Sequence, residues 1–531
     1  MSNQLRLVLL AFGGLVLLLL LSFRPPIYED GLNLVRFGSL PVLHEGRVKP
    51  IDTVARQALL FIHGKQSVED YDPIQWLLSH LTHDSQVDEL KQFIIYHPSL
   101  QDLLGLPSES KVVASFTDIA PGYSQIINLA ETFRDIEPQL RNSFQKAVVK
   151  LDSQVQVFIR LKNTVVLEKG HNHLSQDVAQ LLIDQLAYFK PLFDAPSLIK
   201  AYALNDSAMF NKALLVNDHH HRKRVQFESL FNHFQLFYKS LMLYVVSILF
   251  VFIGWLTRST SILRFVKWVM ILSFAIQTIG IVSRMIIELR PPVTNLYSSA
   301  VFVGWVSIGL AFIVEQRFKN GIALLMAAVI GFLTLIIAHH LSIQGDTLEM
   351  MQAVLDTNFW LSTHVVTITM GYGAAFLAGF FAIFYILKGV FTSSLDSDVA
   401  KKIEKMTYGI TCFSLLMSTV GTILGGIWAD QSWGRFWGWD PKENGALLLV
   451  LWLAIILHAR WGGLVKQRGI MVMSVFNNVV TAFSWFGVNM LGIGLHSYGF
   501  MDRAFFWLLA FSLANGFVMY LGLLPKRFWR S

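Results

Sequence analysis

The chain has 531 residues, of which 53% are hydrophobic and only 15% are charged. Soluble domains carry roughly 25% charged residues, so this composition excludes an ordinary soluble protein and predicts an integral membrane protein. The formal net charge of +7 does not indicate nucleic-acid binding, because the lysines and arginines are concentrated in short loops between apolar segments. Lysines and arginines in such loops indicate on which side of the membrane each loop lies.

About ten apolar segments approach the ~20 residues that are needed to cross the hydrocarbon core of a bilayer. They cover residues 5–23, 238–256, 264–287, 297–315, 321–339, 363–389, 405–427, 442–459, 470–492 and 503–523. Clusters of Lys and Arg, such as Arg258 with Arg264 and Arg460 with Lys466, occur at every second loop. The positive-inside rule assigns these loops to the cytoplasm. The sequence thus predicts an all-α, polytopic membrane protein with both termini cytoplasmic and a transmembrane domain over residues 236–531.

Residues 1–24 are interpreted as an uncleaved membrane anchor. Arg24-Pro-Pro follows the apolar stretch where a signal-peptide cleavage site would require small residues. Residues 25–235 then form a polar external domain, since long segments cross the membrane largely regardless of their charge. Apolar residues repeat at helical spacing in Ile74–Leu81 and Val178–Leu186, which predicts a mostly helical domain.

The most unusual part of the chain is residues 428–443, here called the Trp-rich segment, between the seventh and eighth predicted spans on the external side. It concentrates aromatic side chains in a short stretch: Trp428, Trp433, Phe436, Trp437 and Trp439. An interfacial aromatic belt spreads indoles over many span ends, whereas these are clustered, with Gly434 and Gly438 between them. A wide aromatic surface at a membrane face suits a flat, mostly apolar ligand, and porphyrin is the obvious candidate.

The end of the Trp-rich segment has a purely structural interpretation. Asp440-Pro-Lys-Glu443 matches a capping box, with Asp440 at the N-cap, proline at the first helical position and Glu443 reaching back. These residues are therefore predicted to begin the eighth membrane helix.

An iron porphyrin needs axial ligands, and histidine is the usual one in proteins. His364 opens the sixth span and His496 lies at the mouth of the ninth, both on the external side that carries the Trp-rich segment. Trp360 lies one helical turn before His364, on the same face. The two histidines are therefore candidate axial ligands above and below a bound porphyrin.

His458 lies near the cytoplasmic end of the eighth span. At 1.5 Å per helical residue it is roughly 26 Å deeper than Pro441, so it cannot bind the same iron as the external pair. Two interpretations stay open, because this histidine either caps a span beside a basic loop or marks a second, inner site.

The remaining histidines have simpler interpretations than metal binding, and the cysteine content excludes thiol-based chemistry by this chain. His171, His173 and His219–His221 belong to the polar domain, and His339–His340 lie near a span end, where a solvated ring is the simplest interpretation. Cys412 is the only cysteine. The chain therefore has no disulfide, no Cys-x-x-Cys redox pair and no Cys-x-x-Cys-His haem attachment site of its own.

The stretch Trp433–Glu443 resembles the tryptophan-rich "WWD" signature of the haem-handling proteins of cytochrome c maturation. Further segments resemble the CcsA/ResC branch of these proteins in particular: Pro291–Tyr297, Trp360–His364 with Gly371–Gly373, Ile427–Ala429, His458–Arg460 and Gly487–Gly499. Leu40–Arg56 is similar to the external segment of large, N-terminally extended CcsA-like proteins. Glu443-Asn-Gly445 departs from the Glu-Thr-Trp that is common in CcsA and is closer to CcmF.

The resemblance implies roles for individual residues. His364 and His496 would be paired external haem ligands, and His458 a ligand of an inner site. The haem-contacting surface would comprise Trp433, Phe436, Trp437, Trp439 and Asp440. The aromatic pattern in the sequence adds Trp428 to this surface.

The resemblance also implies an activity and partners. The protein would bind haem b and attach it to apocytochrome c as a holocytochrome c synthase, together with a CcsB/ResB-like membrane subunit and thioredoxin-like thiol-reducing proteins. It would lie in the bacterial cytoplasmic (inner) membrane, with residues 25–235 and the Trp-rich segment in the periplasm. The alternative is a haem carrier or exporter resembling CcmC or CcmF, without ligation activity.

Overall fold

The structure is a computed structural model that describes residues 3–23, 31–138, 140–165, 187–216, 222–343, 345–488 and 504–531. The candidate ligand His496 lies outside the described residues, and so does the predicted helical segment Val178–Leu186. The chain divides into two compact units. The larger comprises Met1–Ser22, Gln235–Leu341 and Met351–Ser531, and the smaller comprises Phe23–Phe234 and Ser342–Met350.

The smaller unit is mostly helical, as predicted. The chain begins with α1 (Asn3–Leu21) of the larger unit. The helices of the smaller unit follow: α2 (Leu34–Gly38), α3 (Ile51–His63), α4 (Pro73–Leu81), α5 (Gln86–Glu89), α6 (Pro98–Leu103), α7 (Phe116–Ile119), α8 (Tyr123–Arg134), α9 (Ser143–Lys162), α10 (Ala195–Ala203), α11 (Ser207–Val216) and α12 (Arg222–Phe234). The prediction of a helix over Ile74–Leu81 is confirmed by α4, which Asp72 caps through the backbone N–H groups of Ile74 and Gln75.

Two small antiparallel sheets accompany these helices and were not predicted. Their strands are β1 (Pro41–His44), β2 (Arg47–Pro50), β3 (Phe93–Ile95), β4 (Val112–Ala114) and β5 (Lys190–Pro191). The first sheet has the order β2-β1-β5, and the second pairs β3 with β4. Glu45 and Gly46 connect β1 to β2 with φ angles of 51° and 74°. Two successive positive φ angles are typical of a type I′ turn, whose twist matches that of the strands.

The larger unit is a bundle of mostly apolar helices. They are α13 (Leu236–Leu256), α14 (Thr260–Glu288), α15 (Leu296–Phe318), α16 (Ile322–Ser342), α17 (Asn358–Trp360), α18 (Val366–Phe391), α19 (Ser397–Trp433), α20 (Pro441–Trp461), α21 (Gln467–Trp485) and α22 (Ala504–Leu523). Among the described residues, 8 helical segments are long and apolar enough to cross a membrane, and Val8–Leu21 is a shorter apolar helix. The prediction of an all-α, polytopic membrane protein is confirmed.

The predicted span 470–492 overlaps α21, which is not one of those eight segments. Polar side chains explain its lower hydropathy, because α21 buries Ser474, Asn477, Asn478, Thr481 and Ser484. Asn477 Nδ2 donates to the carbonyl oxygen of Ala375 in α18 at 3.1 Å. Such interhelical hydrogen bonds compensate for the cost of placing polar groups in an apolar bundle.

Helix α18 is packed closely by its neighbours and contacts α15, α19, α21 and α22. Glycines make these approaches possible. A Cβ at Gly373 would lie 3.0 Å from the carbonyl oxygen of Val303 in α15, and one at Gly379 would lie 1.9 Å from Oδ1 of Asn478 in α21. The helix that His364 precedes is therefore held on several sides, which fixes the position of its N-terminal end.

Candidate functional site

His364 lies in a π-helical turn, Leu361–Val365, between α17 and α18. Such turns place one extra residue in a helix and are frequent at functional sites. The Nδ1–H of His364 donates a hydrogen bond to the carbonyl oxygen of Gly421 at 2.8 Å. Because this bond places the ring proton on Nδ1, the lone pair that can bind a metal lies on Nε2.

Two glycines of α19 set the position of the His364 ring. A Cβ at Gly425 would lie 2.6 Å from Cε1 of His364, so any larger residue would displace the imidazole. A Cβ at Gly421 would lie 2.8 Å from the backbone of Ile368 in α18. The Gly421-x-x-x-Gly425 spacing therefore brings α19 against α18 and leaves room for the ring. This glycine spacing is visible in the sequence but was not part of the prediction.

Two stacked indoles lie beside His364. The rings of Trp360 and Trp428 are nearly parallel, with centroids 6.3 Å apart and an interplanar angle of 12°. The His364 ring is edge-on to Trp428 at a centroid distance of 5.7 Å. Trp360 and Trp428 are each 8% exposed, and Trp360 Nε1 donates to Oε1 of Gln431 at 3.2 Å. The structure thus brings together one predicted ligand and two of the indoles.

The Trp-rich segment is helical in its first part, because α19 extends to Trp433. Trp433 packs against the cluster that contains Trp360 and Trp428. The rings of Trp437 and Trp439 are nearly perpendicular, at a centroid distance of 6.2 Å. Trp439 is 71% exposed and Phe436 is 49% exposed. The aromatic residues therefore form two groups, a buried cluster beside His364 and an exposed group in the loop that follows.

The predicted capping box is present at the end of the segment. Asp440 Oδ1 accepts from the backbone N–H groups of Lys442 at 2.7 Å and Glu443 at 3.4 Å. Glu443 Oε2 accepts from the backbone N–H groups of Asp440 at 3.2 Å and Gly438 at 2.7 Å. The buried Asp440 carboxylate thus satisfies the free N–H groups at the start of α20. This role accounts for its burial, and a haem contact by Asp440 stays a prediction.

His458 lies in the last turn of α20, at the opposite end of the helix from Asp440. Its ring is exposed and Nδ1 donates to the carbonyl oxygen of Ala454 at 2.8 Å. No group of three or more His, Cys, Asp or Glu side chains within the described residues is arranged to hold a metal ion. The structure does not bring His458 together with His364. The role of His458 and the pairing of His364 with His496 stay predictions.

Comparison with known proteins gives the family. The model of the cytochrome C assembly protein family matches residues 293–496, a range that contains His364, Gly421-x-x-x-Gly425 and the Trp-rich segment. The cytochrome c biogenesis protein CcsA of Parasynechococcus marenigrum is 30% identical over 237 residues, which cover 39% of this chain and 77% of that CcsA. The chain belongs to the CcsA family of cytochrome c biogenesis proteins.

Similarity beyond this family core is found in a larger relative. Protein NrfI of Wolinella succinogenes is 25% identical over 507 residues, which cover 87% of this chain and 54% of NrfI. The match therefore includes much of the smaller unit, whereas this chain spans about half the length of NrfI. Among solved structures, the cytochrome c haem lyase CcmF is 14% identical, with a TM-score of 0.40, over 54% of this chain and 49% of that chain.

Proposed function

We propose that this protein binds haem at its external face and, with a CcsB/ResB-like subunit, attaches it to the Cys-x-x-Cys-His segment of apocytochrome c. The geometry of His364 carries the proposal. Gly421 fixes its tautomer with Nε2 as the coordinating atom, and a stacked pair of indoles borders the ring. A histidine oriented in this way by a backbone carbonyl is typical of a metal ligand.

The exposed part of the Trp-rich segment supplies the second argument. Trp439 is 71% exposed and has a φ angle of 56°. For a bulky residue this left-handed conformation costs about 1–2 kcal/mol, and strain of this kind is concentrated at functional sites. We infer that Phe436 and Trp439 contact the face of the macrocycle, and that His496 supplies the second axial ligand opposite His364.

The chemistry that follows is an addition and needs no oxidant. Each cysteine thiol of the apocytochrome adds across one vinyl group of the substrate haem. A C–S bond forms at the vinyl carbon attached to the ring, and the thiol proton ends on the terminal carbon. The protein contributes mainly by holding the reactants in attack geometry, which can replace a large part of the entropic barrier. Thioredoxin-like proteins would keep the thiols reduced, and the apocytochrome histidine would displace one enzyme ligand before release.

The decisive experiment uses the full chain with a CcsB/ResB-like subunit and an apocytochrome c in a bacterial host that lacks its own maturation system. His364→Ala should lower copurified haem, measured as the pyridine haemochrome, and abolish holocytochrome formation. His340→Ala is the matched control, because His340 also lies at the end of a membrane helix and its Nδ1 donates to a local carbonyl oxygen, that of Ile336, at 2.9 Å. Normal haem content and normal holocytochrome in His364→Ala would contradict the proposal.

The same experiment distinguishes the alternative. If the wild-type protein copurifies with haem, and His364→Ala loses it, but no holocytochrome forms in the complete system, then the protein is a haem carrier or exporter. We further propose that haem reaches the external site through an inner site at His458. His458→Ala should lower haem loading in cells but leave the binding of haem added to purified protein unchanged. Equal loss in both assays would contradict a separate inner site.

A further inference from the structure

Arg435 occupies an unusual position in the Trp-rich segment. Its guanidinium lies back across the loop at Gly438, where a Cβ would be 1.1 Å from Nη1 and 2.1 Å from Cζ of the arginine. The side chain is half-buried. The guanidinium thus fills space that is open only because residue 438 is glycine. Arg435 directly precedes the exposed Phe436 in sequence, and Gly438 directly precedes the exposed Trp439.

The other charged side chains at this end of α20 have partners within the chain. Asp440 and Glu443 form the capping box, and Lys442 Nζ donates to the carbonyl oxygen of Trp485 at 2.9 Å. Arg435 differs, because no hydrogen bond, ion pair or cation–π contact involves its side chain anywhere in the described part of the chain.

A second donor in the same loop also has no acceptor. The indole N–H of Trp437 is buried and makes no hydrogen bond within the described residues. Leaving a buried donor unpaired costs about 1–3 kcal/mol, so each such group in a native protein calls for an explanation. These two donors lie two residues apart and neither has an acceptor among residues 345–488 or in the other described ranges, which points to a ligand that brings one.

The chemistry of the donors identifies that acceptor. A guanidinium presents a planar fork of N–H groups that matches a carboxylate and binds it through two parallel hydrogen bonds. The exposed aromatic rings nearby suit a flat apolar body. The ligand should therefore be flat and apolar with a carboxylate at one edge, and haem, with its two propionates, has this form.

We propose that Arg435, with the Trp437 indole N–H, binds a propionate of the substrate haem and so fixes the rotation of the macrocycle in its own plane. The inference rests on the proposed haem site. The vinyl groups lie on the edge of haem opposite the propionates. Holding the carboxylate edge at Arg435 therefore turns the vinyl edge away from the loop and towards the incoming cysteine thiols.

The test compares two probes that differ only at the carboxylates, namely protohaem and its dimethyl ester, each titrated into the purified full chain with its partner subunit. The wild-type protein should bind protohaem about 10-fold more tightly than the ester, as expected for a charge-assisted pair. Arg435→Gln should weaken protohaem binding to the level of the ester and leave ester binding unchanged. Unchanged ester binding also shows that the variant is folded.

Two further variants sharpen the assignment. Gly438→Ala keeps the charge but places a Cβ 1.1 Å from the position of Nη1, so it should displace the guanidinium and reduce the preference for protohaem. Arg258→Gln is the control, because Arg258 is an exposed arginine in the loop between α13 and α14, and the preference should persist.

The outcomes separate the two proposals. If the wild-type protein binds neither probe, or if His364→Ala binds both normally, the haem site itself is wrong. If wild type binds haem through His364 but shows no preference for protohaem over the ester, the role of Arg435 is overturned. The same holds if Arg435→Gln keeps the wild-type preference.

Discussion

The smaller unit and the Trp-rich segment differ in whether their buried and half-buried charged side chains have partners. In the smaller unit, Arg47 donates to Glu228 at 2.6 and 2.9 Å and to Asp346 at 2.8 Å. Lys49 Nζ donates to the same Asp346 at 2.8 Å. All four side chains are buried. In the Trp-rich segment, Arg435 has no such acceptor within the part of the chain that the structure describes.

Electrostatics keeps the buried groups of the smaller unit ionised. Burial by itself would raise the pKa of Asp346, but the charges of Arg47 and Lys49 outweigh it and hold that pKa well below its usual value. Burial would likewise lower the pKa of Arg47, and its bonds to Glu228 raise it instead. Removing one member of such a cluster leaves a buried charge without its counter-charge and destabilises the fold. Donors that have no acceptor among the described residues instead indicate a place for a ligand.

The largest expected effect comes from breaking the buried cluster. Asp346→Asn would leave Arg47 and Lys49 without a common counter-charge, so the smaller unit should lose about 3–5 kcal/mol of unfolding free energy. The measurement is the urea concentration at which half of that unit is unfolded in the full chain, monitored by limited proteolysis. The matched control is Lys91→Gln, which breaks an exposed pair with Asp118 in the same unit and should cost about 0–1 kcal/mol. Equal midpoints for both variants would show that the buried cluster does not stabilise the unit.

The next effect concerns the His364 ring. Gly425→Ala should lower haem affinity about 10- to 100-fold, the range found when the support of a metal-binding histidine is lost. Gly409→Ala is the control, because it lies in the same helix with nothing within 4 Å of an added Cβ. It should leave haem affinity unchanged, since alanine only raises helix propensity there. Similar losses in both variants would remove the argument that Gly425 makes room for the ring.

A smaller effect is a pH dependence of the smaller unit. His80 is buried, its Nδ1 donates to the carbonyl oxygen of Trp76 at 2.7 Å, and burial lowers its pKa to about 3. The folded state therefore binds fewer protons than the unfolded state, whose histidine titrates near pH 6.5. The contribution of neutral His80 to the free energy of unfolding is therefore complete above about pH 6.5. It falls as the pH drops towards 3, by at most about 1.4 kcal/mol per pH unit.

Substitution isolates this contribution. His80→Gln should flatten the fall in the urea midpoint between pH 7.5 and pH 5, leaving a residual slope from His44 and His63, whose pKa values burial also lowers. An unchanged slope in the variant would assign the pH dependence to other groups.

The smallest effect separates the two roles of Asp440. Asp440→Ser keeps an N-cap oxygen for α20, whereas Asp440→Ala removes it at a cost of about 1 kcal/mol. If the carboxylate acts only as a cap, Asp440→Ser should retain wild-type haem affinity. A loss of haem affinity in Asp440→Ser would support the haem contact that the family resemblance implies.

Local features were predictable from the sequence and long-range ones were not. The capping box at Asp440 and the helix at Ile74–Leu81 depend on neighbouring residues, and both are present. The π-helical turn at His364 left no periodic signal, because it shifts a helix by one residue. The bond from His364 to Gly421 joins residues in different helices. The division of the indoles into a buried and an exposed group depends on where α19 ends, which composition does not specify.

The smaller unit is built from two separate stretches of chain, since Ser342–Met350 belongs to it. Asp346, the carboxylate shared by Arg47 and Lys49, lies on the second stretch. A truncation that removes residues 25–235 would therefore take away the partners of a loop that remains behind. Such a truncation would have two effects that cannot be told apart, namely the loss of the smaller unit and the loss of the partners of Asp346 in the loop that remains. Fragment complementation is the better genetic design. Residues 23–234 supplied as a second polypeptide could still pair Arg47 and Lys49 with Asp346, which remains on the truncated chain.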